Sequence, residues 1–507
     1  MSDSIDICLI SPPNRSSSAN VPTALLYLHS WLIKNNIGSK IIDIKLGQPG
    51  VVLTKNQLER VKSDILEKVK VLKPRYIGIP CYTSEFWDVI ELCERIKASH
   101  KCIIIVGGLH VSIKAEDFFF EGTPIDMAVS GDGQYPLVDI VRRINFGKDM
   151  DGVEGVILRL GDGKLLRHGA SRFTDWNILP NPDYSELNMD YYSKPHTGII
   201  RNLIVSGVHI FTAIGCPFSC TFCANSNKEV NYRPIANVLE EIEKLRDDYK
   251  IDAFYILDDT FLLKKSRVIE FVEGLKKRKI DLIWAMETRV NIIDEEMAKL
   301  VSEAGCMQVD FGIESGSGEA LVRMKKEITR EQAFKALDIC TKYNLRTLVH
   351  FMFNTPGESE DDVKKTLEMI RKIRPTRLSI CLTVPFPGTV IYNEYVLPPL
   401  TKEEYRIYNT PYLYFKVVDR RFYMARHKLD IVSLRIKATA NANKFRSIMD
   451  YTFNPIYWRA VFKSKKKMQY LKVLSSDFIA LLISRAGKVL KAYLFFRRQP
   501  RRSTDVL

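Results

Sequence analysis

Gly215-Cys216-Pro217-Phe218-Ser219-Cys220-Thr221-Phe222-Cys223 places three cysteines within eight residues, spaced C-x3-C-x2-C. The stretch follows an apolar β-branched run, His209–Ile214, so it reads as a loop leaving a strand. Three thiolates on one loop can wrap a single metal centre, and soft sulfur ligands suit an iron–sulfur cluster or zinc. A closed structural zinc site takes four ligands. The next cysteine, Cys306, lies 83 residues on. A cluster of four irons held by three cysteines leaves one iron open. The competing reading is a zinc knuckle completed by a distant His or Cys.

Outward from this loop, residues 201–395 alternate strands and helices. Strands are predicted at His209–Ile214, Ala253–Leu257, Leu282–Glu287, Gln308–Ile313, Thr347–Phe353 and Arg377–Val384. Helices are predicted at Ala236–Asp248, Ser266–Lys276, Glu295–Ala304, Arg330–Tyr343 and Glu360–Lys372. Polar or conformationally special residues gather just after each strand, which is where a (β/α) barrel carries its working groups. A second open sheet is the structural alternative. Asp258-Asp259 follows the second strand, where two carboxylates can hold a cation or one residue can cap the next helix. Arg289 follows the third, and Glu314-Ser315 sits in a glycine-rich turn after the fourth. Phe353-Asn354-Thr355-Pro356-Gly357 and Pro385-Phe386-Pro387-Gly388 follow the last two.

Residues 1–150 read as a doubly wound parallel-sheet α/β domain. Strands are predicted at Asp6–Ser11, Lys40–Ile44, Tyr76–Cys81, Cys102–Val106 and Met127–Ser130, with helices around 24–34, 57–71, 86–97 and 136–144. Ligands of open parallel sheets bind outside the carboxyl ends of the strands. Here those ends are Ser11-Pro12-Pro13, Gly107-Gly108-Leu109-His110 and Ser130-Gly131-Asp132-Gly133. Residues 151–200 read as a connector with a hairpin around Gly161-Asp162-Gly163.

The 507 residues fit about three domains. The net charge of +15 sits almost wholly in residues 401–507, with 24 Lys and Arg against 7 Asp and Glu. Residues 396–507 therefore read as a basic, mostly helical region. Its Lys463–Lys467 run, its apolar positions Ile479, Leu482, Ile483, Val489, Leu490 and Leu494, and Arg497–Arg502 suit peripheral contact with an anionic membrane. A solvated helical face is the plain alternative, and no nucleic-acid motif supports nucleic acid as the partner. No secretory signal or stretch of about 18 apolar residues is read. Scattered cysteines argue a reducing cytoplasm, with a place at the inner membrane face if the tail touches lipid.

The cysteine stretch resembles the cluster motif of the radical S-adenosylmethionine (SAM) superfamily, C-x3-C-x-aromatic-C, with Phe222 in the aromatic place. The resemblance implies a 4Fe–4S cluster on Cys216, Cys220 and Cys223. Its open iron would chelate SAM and deliver the electron that releases a 5′-deoxyadenosyl radical. Reductive C–S cleavage takes the low end of iron–sulfur potentials, which span roughly −700 to +450 mV. An external one-electron reductant of flavodoxin or ferredoxin type is thereby implied. In such a site Asp258 or Asp259 would meet the SAM ammonium. Arg289 would take its carboxylate, or instead pair with Glu287 or Glu314. Glu314 and Ser315 would approach the ribose, or Glu314 would form an internal ion pair.

The stretches Val21–Leu28, Val106–Ser112 and Ser130–Gln134 resemble the cobalamin-binding domain of radical SAM methyltransferases and anaerobic porphyrin-ring cyclases. With the barrel, the resemblance covers residues 5–395. It implies cobalamin held near Gly107, Gly108 and Gly131. His110 is the one histidine on such a loop, read either as a ligand or as a hydrogen-bonded rim residue. The D-x-H-x-x-G motif is absent, Ala24 stands where Gly is usual, and so does Asn354. The implied activity is attack on an unactivated C–H bond, with methyl transfer to carbon of a small-molecule or lipid substrate. The alternatives are cyclisation or carbon coupling without methyl transfer, and a non-catalytic cobalamin or redox sensor.

Overall fold

In the computed structural model, the described residues are 5–14, 20–49, 52–201, 203–224, 227–373, 375–409, 413, 417–427 and 454–474. Seven strands form the first sheet: β1 (Ile7–Ile10), β2 (Ser39–Ile42), β3 (Tyr76–Pro80), β4 (Ile103–Gly107), β5 (Met127–Val129), β6 (Val156–Arg159) and β7 (Leu165–Arg167). Their order is 2-1-3-4-5-6-7. Strands β1 to β5 are parallel, whereas β6 and β7 pair antiparallel. The hairpin expected within a connector therefore continues this sheet. Val156 and Ile157 supply the reason: they bury fully against β5 while Arg159 faces solvent.

Helices α1 (Thr23–Lys34), α2 (Lys55–Leu72), α3 (Phe86–Ser99), α4 (Leu109–Lys114) and α5 (Gln134–Asn145) follow the first five strands in turn, and α6 (Met189–Tyr192) comes after the hairpin. In α2, Thr54 and Gln57 form a capping box, and Leu58, Val61, Ile65 and Val69 bury one face at helical spacing.

The second sheet begins with β8 (Gly207–Ile210), its first edge, which is followed by a short hairpin, β9 (Ala213–Ile214) with β10 (Asn231–Tyr232). Its remaining strands are β11 (Ala253–Ile256), β12 (Ile283–Thr288), β13 (Cys306–Glu314), β14 (Arg346–Phe353) and β15 (Arg377–Leu382). All six run parallel in sequence order, β8-β11-β12-β13-β14-β15. With β8 and β15 as its two edges, this is a partial barrel. Helices α7 (Ile235–Tyr249), α8 (Lys265–Lys277), α9 (Glu295–Glu303), α10 (Gly318–Arg323), α11 (Arg330–Lys342) and α12 (Glu360–Ile373) lie between and around its strands, and α13 (Val390–Tyr395) follows β15 and packs its Tyr392 on the first domain.

The basic C-terminal region divides between two places. Leu400, Tyr405, Tyr408 and Phe422 join the core of the first domain, beside Phe86, Val106 and Val111. The helix Pro455–Lys463 and residues 467–474, which are helical, close the amino end of the barrel. There Tyr457, Val461 and Tyr470 pack with Ile199, Ile200, Leu203, Ile204 and Val205 and with Ala253, Tyr255 and Ala285. The apolar positions from Ile479 to Leu494 and the Arg497–Arg502 run lie outside the described residues.

Candidate active site

The strand expected over His209–Ile214 breaks at Phe211-Thr212, and Asp258 is the reason. Its carboxylate accepts from Thr212 N (2.7 Å), Ala213 N (3.0 Å) and the Thr212 hydroxyl. Those amides turn away from the sheet, so the chain leaves β8 and re-forms as the β9–β10 hairpin. The hairpin's loop is the cysteine stretch. Gly215 enters it at φ +105, where a Cβ would lie 2.1 Å from Glu229 O, so only glycine fits the turn. Burial raises the Asp258 carboxyl to about 6, against its three donors. Asp259, next along, is exposed at the rim. The pair left open by the sequence thus separates into an inward carboxylate that shapes the loop and an outward one.

The loop is held on both sides. Thr221 N donates to Met324 O at the end of α10 (3.0 Å), and Ile391 N at the start of α13 donates to Thr221 O (3.2 Å). Cys223 N donates to Cys220 O (3.2 Å), which brings these two cysteines together in a turn. Cys216 and Cys220 are half-buried and Cys223 is exposed. Among the described residues no three His, Cys, Asp or Glu side chains already converge on one point. Three soft thiol donors on one partly exposed loop suit an iron–sulfur cluster.

Arg289, at the end of β12, takes neither expected glutamate. Its guanidinium lies over the Phe218 ring, 3.6 Å from the centroid, with Nη1 3.9 Å from Cys220 Sγ. It also donates to Lys326 O and, at 3.4 Å, to Asn291 Oδ1. Glu314 forms the internal ion pair, with Lys326 Nζ at 3.0 Å and both side chains 9% exposed. Lys326 Nζ also lies 5.7 Å from the Phe222 ring centroid. Glu314 sits at φ +69 in the bulge where β13 shifts register against β14. Ser315 Oγ is engaged by Thr366 Oγ1 (3.1 Å) and Ser317 N (3.1 Å). Lys326 was not read from the sequence. It lies in an ordinary-looking Lys325-Lys326 pair, and only the fold shows that one of the two is buried.

Asn354 explains its own departure from glycine. It adopts φ +63, which Asn tolerates better than most residues. Its side chain donates to Thr383 O (3.2 Å) and Phe422 O (2.6 Å) and accepts from Met424 N (2.8 Å) and Ala425 N (3.2 Å). With Gly357 N on Met424 O and His427 on Glu358, it straps residues 422–427 to the barrel rim.

In the first sheet, Gly107, Gly108 and Gly131 border the carboxyl edge. Ser112 ties their loops together by donating to Gly108 O and accepting from Gly131 N. Gly131 has φ +84 and would place a Cβ 2.2 Å from Ser171 O. Over Gly107 the nearest atom to such a Cβ is 3.7 Å away. Tyr82, after β3, and Leu109 and Tyr135, in the first turns of α4 and α5, stand 57%, 37% and 37% exposed. An open edge of bare backbone rimmed by large apolar side chains fits a flat macrocycle such as the corrin ring. His110 does not reach that edge. It is fully buried among Phe86, Phe118 and Tyr405, with Nδ1 on Thr83 Oγ1 at 2.9 Å and Nε2 3.5 Å from Asp117. At the β1/β3 switch point, Asn14 donates to Glu85 Oε1 (2.8 Å), and burial raises the Glu85 carboxyl to about 7. Neither residue was singled out from the sequence.

The two carboxyl edges meet. Gly388, on the loop after β15, would place a Cβ 2.6 Å from Ile113 of α4. Val384 shares a core with Val111 of the same helix.

Residues 210–370 match the family described as the Radical SAM superfamily, and residues 34–141 match the B12 binding domain. An uncharacterized methyltransferase of Pyrococcus horikoshii is 30% identical over 399 residues, covering 76% of this chain and 82% of that protein. The anaerobic magnesium-protoporphyrin IX monomethyl ester cyclase of Rubrivivax gelatinosus is 25% identical over 349 residues, 66% of this chain and 60% of that protein. In fold, the chain resembles the radical SAM methyltransferase TsrM from Kitasatospora setae, solved with cobalamin and a 4Fe–4S cluster. The TM-score is 0.68 at 18% identity, over 90% of this chain and 99% of that one.

Proposed function

Because this chain belongs to the radical SAM superfamily and carries a B12-binding domain ahead of the radical SAM domain, we propose that it transfers a methyl group to an unactivated carbon of a small organic molecule or lipid. It is a cobalamin-dependent radical SAM enzyme, with a 4Fe–4S cluster, SAM and cobalamin as cofactors. It requires a substrate and a one-electron reductant, for which a flavodoxin or ferredoxin is the proposed type. When bound, the cluster supplies the electron that cleaves SAM and cobalamin carries the methyl group.

The observation that carries this reading is the meeting of the two carboxyl edges at Ile113 and Gly388. The cysteine loop is tied to the same region through Ile391 N and Thr221 O. A carbon radical formed at the barrel rim would then lie near a methyl donor held on the first sheet. Within this site Cys216, Cys220 and Cys223 are the cluster ligands, and Asp258 positions their loop. Asp259, which is exposed at the rim after β11, is assigned to the SAM ammonium, while Asp258 is given to the loop. Arg289, stacked on Phe218 beside Cys220, is assigned to the SAM carboxylate. Glu314, held by Lys326, is assigned to the ribose side.

The test is anaerobic reconstitution with iron and sulfide, then dithionite and SAM. 5′-Deoxyadenosine is expected from the wild type and not from Cys220→Ala; equal product in the variant overturns the cluster assignment. With candidate substrates and SAM deuterated in its methyl group, the product should gain one labelled carbon. A second reading, ring closure without methyl transfer, draws on the likeness to the cyclase. It gives a product lighter by hydrogens and unlabelled.

A further inference from the structure

We propose that the outer face of the helix Pro455–Lys463 and the following residues to 474 docks on an anionic lipid bilayer. The segment from 454 to 474 carries six basic and no acidic residues. It is fixed to the barrel from its inner face. Tyr457 donates to Ile204 O (3.1 Å), Ser464 and Tyr470 donate to Asp252 (2.7 and 3.1 Å), and Tyr470 OH accepts from Ser206 N (2.8 Å). Lys466 is spent on this attachment, donating to Ser193 O, Ser206 Oγ and Tyr249 O.

The outer face is then presented in a defined shape. Ile456, Phe462, Met468 and Leu471 are 44%, 66%, 77% and 55% exposed. Arg459, Lys463, Lys465, Lys467 and Lys472 are exposed among them. Asp281 partly neutralises Arg459 and Lys463, and Asp247 lies near Lys465, so the face keeps an excess of basic over acidic groups. Basic side chains interleaved with exposed apolar ones match an interface that is anionic at its surface and hydrocarbon beneath. Nucleic acid offers phosphates for the lysines but no apolar layer for Phe462 and Met468, so the bilayer is the better complement.

The location adds a consequence. Asp252, Asp281 and Gly305 lie at the amino ends of β11, β12 and β13, and the helix packs there. The cysteine loop lies at the carboxyl end. Docking would therefore hold the enzyme at a surface with its reaction site turned away, and the substrate would enter from the aqueous side whatever its class.

The full-length protein is sedimented with vesicles of phosphatidylcholine alone or mixed with phosphatidylglycerol. Binding is expected only with the anionic lipid and should weaken with salt. Each of Lys465→Gln, Lys467→Gln and Lys472→Gln should lower partitioning about fivefold, and the triple variant about a hundredfold. Phe462→Ser with Met468→Ser, which keeps every charge, should also release the protein, with melting temperature and 5′-deoxyadenosine formation unchanged. The proposal is overturned if the wild type ignores anionic vesicles, or if the Phe462/Met468 variant binds as well as the wild type. It is equally overturned if single-stranded RNA displaces the vesicles and binds that variant undiminished.

Discussion

Replacing Lys326 by Met tests the ion pair at the heart of the rim. Lys326 Nζ is 3.0 Å from Glu314 Oε1, and both side chains are 9% exposed. Methionine keeps most of the volume and the packing beside Phe222, and the Lys326 carbonyl can still accept from Arg289. What is lost is the only positive charge paired with Glu314 among the described ion pairs. Removing one partner of a buried pair costs about 3–5 kcal/mol, because the remaining charge stays desolvated. Lys326→Met should therefore be less stable than the wild type by about that amount at neutral pH. Urea unfolding followed by fluorescence reads this, since Trp284 lies in the barrel core. Lys326→Met with Glu314→Gln should recover most of the loss. The reasoning is refuted if Lys326→Met costs less than about 1 kcal/mol, or if the double variant is no more stable than the single one.

Further outcomes follow from other residues. Gly215→Ala should abolish iron incorporation, read as loss of the cluster's visible absorbance, because its Cβ would meet Glu229 O at 2.1 Å. Gly131→Ala should abolish retention of hydroxocobalamin after desalting, while cluster loading in the barrel persists; equal retention would remove that loop from the cobalamin site. Glu85, raised to about 7 by burial, binds its proton more tightly folded than unfolded, so it costs stability as pH rises from about 4.5 to 7. Glu85→Gln should therefore gain about 3 kcal/mol on the wild type across that interval, and a pH-independent difference would contradict the assignment. Asn354→Gly keeps the positive φ and loses four hydrogen bonds, so limited proteolysis should open residues 422–427 faster than in the wild type. Asn354→Ala should add backbone strain and be less stable than the glycine variant.

The alternation of apolar runs and helical periods was enough to place all six barrel strands within a few residues, because the first five are buried, the sixth is half-buried, and all are bounded by polar turns. The cysteine spacing named its own loop, since ligands within eight residues are local chemistry. By contrast, the hairpin at β6 and β7 reads the same whether it stands alone or extends a sheet. Only the pairing of Val156 with Val129 decides that. His110 lies on a loop that sequence marks as ligand-facing, yet its ring turns inward to an aromatic cluster whose Tyr405 comes from 295 residues away.

By itself, then, the chain's sequence determined that two α/β units follow one another, that three sulfurs share a loop, and that positive charge collects at the end. These are properties of neighbours in the chain. Which aspartate turns inward, which lysine of a pair is buried, where the basic segment attaches and how the two strand edges face each other were decided only in three dimensions. Desolvation and hydrogen-bond geometry act between groups that are distant in sequence, and their cost is set by what surrounds them after folding.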